Sequence, residues 1–180
     1  MTQRVIILEG VDRCGKTNIG KELSHRSGVP YFKNSDEHKY FLKDPKYFIN
    51  AIRYVDTYFT SYLEASKASV ILDRAWPSEW VYSQALGRTT DFAVLRELDD
   101  RHVALGTTIV LVHRSDYSKV KDDYDVVNDN LQKIHDLYME FSEWTRCRKV
   151  LLNVDDEDLE REIHHIAVGA GLPLNCRNNP

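Results

Sequence analysis

The chain has 180 residues, 42% hydrophobic and 29% charged, a composition that fits one globular domain and excludes a disordered chain. Its formal net charge of −4 counts against a nucleic-acid partner, leaving room only for a local basic cleft. Cys14, Cys147 and Cys176 are odd in number and lack C-x-x-C spacing, so they indicate neither a disulfide framework nor a zinc site.

The first predicted element is the apolar run Val5-Ile6-Ile7-Leu8, the length of a buried strand. It is too short for a membrane helix, which needs roughly 18 apolar residues, and it has no cleavage pattern; a cytoplasmic chain without membrane contact is expected. Gly10-Val11-Asp12-Arg13-Cys14-Gly15-Lys16-Thr17 follows and completes a G-x-x-x-x-G-K-[ST] loop. Behind it, Asn18 to Ser24 carries Ile19 and Leu23 four apart, as on one face of a helix. Strand, glycine loop and helix are the context that a phosphate-binding loop requires. Gly10 and Gly15 let successive backbone N–H groups turn inward toward an anion at the helix N-terminus. Lys16 can reach the β- and γ-phosphates, and the Thr17 hydroxyl can ligate Mg²⁺. With Cys14 and Asn18 beside them, these residues form the expected site for ATP and Mg²⁺.

Val29 to Phe32 reads as a second short strand, and Pro45 to about Ala65 as an amphipathic helix through Phe48, Ile52, Val55, Phe59, Tyr62 and Leu63. Ser69 to Leu72 is a third strand that delivers Asp73 and Arg74 at its carboxyl end. Helices are expected over Ser78–Leu86, stopped by Gly87, and over Asp91–Leu105, with Gly106 as its C-cap signal. Thr108 to Val112 is the fourth strand. A polar stretch from Arg114 to Tyr124 precedes a long helix reaching about Trp144. Val150 to Val154 is the fifth strand, Glu157 to Ala170 the last helix, and the tail after Gly171 is expected to fray.

Strands alternating with helices predict an α/β fold, a doubly wound parallel five-stranded sheet of the P-loop NTPase type, in one domain spanning 1–180. In such sheets the ligand lies beyond the carboxyl ends of the strands. There stand Gly10–Thr17, Asp73–Arg74, His113–Arg114 and Asp155. Asp73 is poised to accept from the Thr17 hydroxyl or from Mg²⁺-bound water, making Thr17 and Asp73 the metal-facing pair.

Leu8 to Thr17 resembles the E-G-x-D-x-x-G-K-[ST] loop of thymidylate kinases, which shows Glu9 and Asp12 as well as the glycines. Asp73-Arg74, with Ser78 five and Tyr82 nine residues beyond the aspartate, is similar to that family's D-R-[YH]-x-x-S-x-x-A-Y signature. Arg53 stands 20 residues before Asp73, at the spacing of an arginine lining the family's monophosphate site. The resemblance implies a nucleotide kinase that takes a small-molecule nucleotide. Asp12 would face the acceptor sugar or the metal; with Arg13, Lys16 and Asp73 it belongs to the implied catalytic set. Arg74 would grip the acceptor phosphate, and Arg53, Ser78 and Tyr82 would line the acceptor. The family often has a base-stacking aromatic four residues before the arginine. Here that position is Ile49, and Phe48 is the neighbouring aromatic, rotated by about 100° of helix. Ala75 stands where the signature has an aromatic or histidine.

The stretch at about 114–124 would be a lid, and it contains no arginine after Arg114. The chain therefore resembles those thymidylate kinases that carry the catalytic arginine in the loop, here Arg13. The resemblance also implies a homodimer through the helices around Arg53 and Trp80. Trp76 and Trp80 could line the acceptor pocket or pack. Tyr117, Tyr124 and Tyr138 read as packing residues, and His164-His165 as a surface pair. Cys14, near a helix N-terminus that could lower its pKa, reads as a space-filler. Two other readings compete: a kinase of the same fold acting on a nucleoside or on a modified base in DNA, and a nucleotide-dependent switch. The switch lacks an N-K-x-D guanine-binding segment.

Overall fold

The computed structural model describes residues 2–33, 45–118 and 130–175. Its centre is β1, Val5–Gly10, in which every residue is buried. A strand buried on both faces needs a continuous apolar run, and Val5 to Leu8 supplies it. The strand runs two residues further than the apolar run, so Glu9 and Gly10 lie within it.

The other strands are β2 (Tyr31–Lys33), β3 (Val70–Asp73), β4 (Thr108–His113) and β5 (Arg148–Asn153). All pairings are parallel, in the order β2-β3-β1-β4-β5. β1 pairs with β3 through Leu8↔Asp73 and with β4 through Gly10↔Val112. The carboxyl ends of the three central strands are therefore side by side. The chain leaves β1 toward β2 and β3, then returns across it to β4. That reversal is the topological switch point at which doubly wound sheets bind ligands.

The helices are α1 (Lys16–Ser27), α2 (Pro45–Ser66), α3 (Trp76–Ala85), α4 (Phe92–Ala104), α5 (Leu131–Trp144) and α6 (Leu159–Ala170). Right-handed crossovers send α1 to one face, because β1 to β2 runs one way across the sheet, and α2 to α5 to the other. In agreement, α1 packs on α6, while α3 packs on α4 and α5. Local chemistry sets the ends. Asp91 caps α4 by accepting from the N–H groups of Ala93 and Val94, and Asp158 caps α6 through Arg161 N–H. α3 starts two residues before the expected Ser78 because Pro77, lacking an N–H, fits a first helical turn.

Trp76 and Trp80 pack. Both are buried with Phe141 and Trp144 between α3 and α5, Trp76 and Trp80 lying 5.5 and 5.6 Å from the Phe141 ring. Trp80 is therefore core. The lid expected at about 114–124 is described only to Ser118, so Lys119, Lys121, Tyr124 and Asp125 lie outside the described residues. No described helix is long and apolar enough to cross a membrane.

Candidate active site

Gly10 ends β1 at φ 137°, and a Cβ there would lie 2.0 Å from the Val112 carbonyl oxygen of β4. Only glycine meets both demands, so the loop can turn directly out of the sheet. Gly15, at φ 81°, then caps α1 from the left-handed region without a side chain, and its carbonyl accepts from Asn18 and Ile19 N–H.

Lys16 is buried, and its Nζ donates to the loop's own carbonyls, Gly10 at 3.0 Å and Val11 at 2.7 Å. Burial, helped by Arg74 and opposed by Asp12, brings its pKa down to about 8. An ammonium held this weakly gains from an incoming phosphate. Thr17 donates its hydroxyl to Asp73 Oδ2 at 2.9 Å, and Tyr31 donates to the same oxygen at 2.7 Å. A hydroxyl and a carboxylate side by side form a hard oxygen set that suits Mg²⁺, one directly and one through water. Among the described residues no group of three His, Cys, Asp or Glu could hold a metal.

Glu9 is wholly buried at the end of β1. Its Oε1 accepts from Ala75 N–H at 2.8 Å, and Oε2 accepts from Ser78 Oγ at 2.8 Å and from Tyr138 OH at 2.9 Å. Burial raises its pKa against the opposing pull of Arg74 and these donors. Arg74 leaves β3 at φ 69°, a left-handed backbone that turns its side chain back over the loop. The guanidinium donates to Ser78 and Tyr138, each at 3.1 Å, and lies 3.7 Å from Glu9. Its Nη2 pairs with Asp12 inside the loop, and Tyr82 donates to the other Asp12 oxygen at 2.8 Å. Burial works against the Asp12 charge, but Arg74, Lys16 and the Tyr82 hydroxyl outweigh it and hold the carboxyl below its usual range.

The structure thus joins Asp12, Arg74, Ser78 and Tyr82 in one network with Glu9, and pairs Thr17 with Asp73 beside it, while Lys16 is held by the loop's own carbonyls. Arg13 is exposed in the loop at φ 65°. Arg53 is directed elsewhere: Nη2 pairs with Glu97 of α4 at 2.7 Å. The Phe48 ring lies under the Arg88 guanidinium, 5.2 Å from its centroid, and Arg88 is bound to buried Glu79. Cys14 is buried and its thiol pKa is pushed up by that burial, so the helix terminus does not activate it. Tyr138 and Tyr31 bond to these residues as well, although Tyr138 reads from sequence as a packing residue. Its α5 position gives no sequence signal, because only the fold brings residue 138 to residue 9.

The base of the expected lid is fixed. Asp155 accepts from Ser115 N–H at 3.0 Å and from Asn153 Nδ2 at 3.0 Å. Hydrogen bonds from Ser115 and Asn153 hold its carboxyl at about 2. Arg114 pairs with Glu157 at 2.9 Å. His164 and His165 are both exposed.

No protein-family model matches the chain, and no curated protein matches it in sequence. Solved structures do match over nearly the whole chain. The YorR protein from Bacillus subtilis, in complex with phosphorylated GDP, is 21% identical with a TM-score of 0.63, covering 91% of this chain and 96% of its own. Thymidylate kinase from Candida albicans is 16% identical with a TM-score of 0.59, covering 96% and 95%. Deoxyadenosine kinase from M. mycoides with bound dCTP is 16% identical with a TM-score of 0.57, covering 91% and 97%. At these identities the likeness is one of fold, the α/β fold of P-loop kinases.

Proposed function

We propose that this chain is an ATP-dependent nucleotide kinase that transfers the γ-phosphoryl group to a (deoxy)nucleoside monophosphate, giving ADP and the diphosphate. The observation that carries the reading is the Asp12–Arg74 ion pair. It joins the phosphate loop to a cation at the tip of the next strand, as a two-substrate site needs. Lys16 and the loop N–H groups bind the donor phosphates. Thr17, with Asp73 behind it, would hold Mg²⁺, which would supply charge neutralisation to the donor phosphates. Arg13 stabilises the transferring group, and Arg74, held on Glu9, receives the acceptor phosphate. Phosphoryl transfer asks the protein mainly for this positioning and charge stabilisation.

One observation favours a second reading, a kinase of the same fold acting on a nucleoside or on a modified base in DNA. The Arg74 fork already faces Asp12, so an acceptor phosphate has to displace a carboxylate, whereas an acceptor hydroxyl can use that carboxylate in place. Support for both acceptor classes comes from fold likeness to a thymidylate kinase and to a deoxyadenosine kinase. The deciding experiment measures ADP release with monophosphates, nucleosides and a DNA oligomer in turn. Acceptor-independent ADP release overturns the kinase assignment, and a preference for nucleosides or DNA selects the second reading.

The same proposal includes a homodimer through α2. Tyr54, Val55, Tyr58 and Tyr62 are each more than half exposed on that helix, and a second copy can cover the row about a two-fold axis. Sedimentation of the wild type and of Tyr58→Glu tests it: a dimer that the glutamate dissociates is the expected result.

A further inference from the structure

Tyr117, just after β4, is buried at 5% exposure and has no role in the mechanism above. Its hydroxyl is where three elements meet. It accepts the main-chain N–H of Arg114 at 2.9 Å, lies 3.9 Å from the Cys14 thiol of the phosphate loop, and lies 3.3 Å from Nδ1 of His135 on α5. The His113 ring, at the end of β4, stands 5.7 Å from the His135 ring.

Valence decides who donates. A tyrosine hydroxyl gives one hydrogen and accepts through its lone pairs. With His135 neutral, the Arg114 N–H and the Cys14 S–H fill the acceptor positions, and the tyrosine hydrogen goes to His135 Nδ1. Every group is satisfied. A proton on His135 Nδ1 turns that acceptor into a donor. Three donors then converge on one oxygen, and the tyrosine hydrogen loses its partner. At least one contact has to open, and the 3.9 Å thiol contact is the longest.

We propose that Tyr117 is a positioning residue that ties the phosphate loop, through Cys14, to the turn at Arg114 that follows β4, and that protonation of His135 releases the tie and weakens MgATP binding. The surroundings of His135 agree. Burial lowers its pKa, His113 from β4 lowers it further, and Asp136 on its own helix opposes them. From the phosphate loop and the post-β4 segment, Cys14 and Tyr117 face it as neutral groups, their own pKa values pushed up by burial. The Arg114 guanidinium is turned to Glu157. His135 is therefore neutral near pH 7 and takes its proton below the ordinary histidine range of about 6.5. As pH falls from there, the protein loses the part of its stability that depends on the neutral ring.

This inference rests on the ATP reading for one of its two readouts. The first readout is the His135 ring titration by NMR in the full chain, without nucleotide. Tyr117→Phe removes the donor that favours the neutral ring, so the His135 pKa should rise above its wild-type value. The second is MgATP affinity by calorimetry from about pH 8 to about pH 5.5, spanning the histidine titration. Wild type should weaken several-fold toward acid. Tyr117→Phe should bind about tenfold more weakly already at neutral pH, the scale of one lost buried hydrogen bond. His135→Gln, whose side-chain oxygen still accepts from Tyr117, should bind as wild type does at neutral pH and hold its affinity in acid. An unmoved His135 titration in Tyr117→Phe overturns the inference whether or not the chain binds ATP. A moved titration with the same MgATP profile in all three proteins overturns it while leaving the ATP site in place. A wild type that binds no MgATP removes both.

Discussion

Two buried carboxylates mark opposite ends of the sheet, and their surroundings separate what stabilises the fold from what equips the site. Asp99, on α4, lies at the amino end, beside the turn that enters β5. Its oxygens accept from Thr145 Oγ1 at 2.5 Å, Arg146 N–H at 3.0 Å and Arg96 at 2.9 Å, and Arg96 stacks on Trp144 at 3.5 Å. One charge is matched by donors from the turn and its own helix. Glu9, at the carboxyl end, is as buried and as fully bonded, but it shares Arg74 with a second carboxylate, Asp12. Two carboxylates for one guanidinium leave a cation that can change partners. The first arrangement fixes a turn, whereas the second holds a charge ready beside a phosphate loop.

The two ends are expected to respond oppositely to substitution. Asp99→Ala leaves buried donors without an acceptor and should cost about 3 kcal/mol, discounted from a fully buried pair because Arg96 can turn to water. For a chain of this size that is a melting temperature lower by roughly 6–12 °C. The ATP KM of the folded fraction should not change. A raised KM or a lowered kcat at full folding would mean that the amino end also serves the site.

At the other end, Lys16→Ala should lower phosphoryl transfer at least ~10²-fold, the usual scale for a charge-stabilising donor in a dry site. It should leave the melting temperature nearly unchanged or higher, since the buried ammonium is held at about 8. The sign of its pH dependence follows from that depression. Between about 8 and the ordinary lysine value, the unfolded chain binds more protons, so the free protein gains stability as pH rises. Nucleotide binding needs the ammonium, so MgATP affinity should fall over the same interval. Affinity and stability moving together there would contradict this placement of Lys16. Arg74→Ala should cost roughly 10- to 150-fold in acceptor kcat/KM for a monophosphate, from one charge-assisted bond. ATP binding should be nearly unaffected. Equal loss with a matched nucleoside would shift the assignment to the second reading.

The fold was legible because both of its signals are local. Apolar runs of strand length alternate with helical periodicity, and Gly10, Gly15 and Lys16 sit at fixed spacing between a strand and a helix. The candidate donor residues are legible from that spacing. Asp73 and Arg74 were legible because a strand end is a position in the sequence as well as in the fold. Tyr138 was not: its bond to Glu9 crosses 129 residues of chain, and nothing near it in sequence distinguishes it from a packing tyrosine. Trp76 and Trp80 stayed open for the same reason, since only the packing of α3 on α5 decides between pocket and core. Arg53 has the spacing of an acceptor arginine, yet spacing does not fix a rotamer, and Glu97 one helix away takes the guanidinium.

The smallest expected effect separates strain from chemistry at Arg13. Arg13 and Arg74 both have positive φ, 65° and 69°, where an L-residue is disfavoured by about 1–2 kcal/mol. Arg74 bonds to Asp12, Ser78 and Tyr138, and Arg13 is exposed on the loop. Strain kept at such a position points to a role for the side chain. Arg13→Ala and Arg13→Gly remove the same guanidinium but differ in backbone freedom. Both should lower kcat far more than they raise the ATP KM, and by the same factor, if the guanidinium acts on the transferring phosphoryl group. They should differ in stability, with the glycine variant higher by about 1 kcal/mol, a few degrees in a thermal melt. A matched loss of kcat with split melting temperatures assigns the strain to the backbone and the chemistry to the side chain. A kcat that follows the melting temperature instead would mean that Arg13 serves the loop's shape. Catalysis would then fall to Arg114, 21% exposed and paired with Glu157, which would have to leave that carboxylate to reach a phosphate.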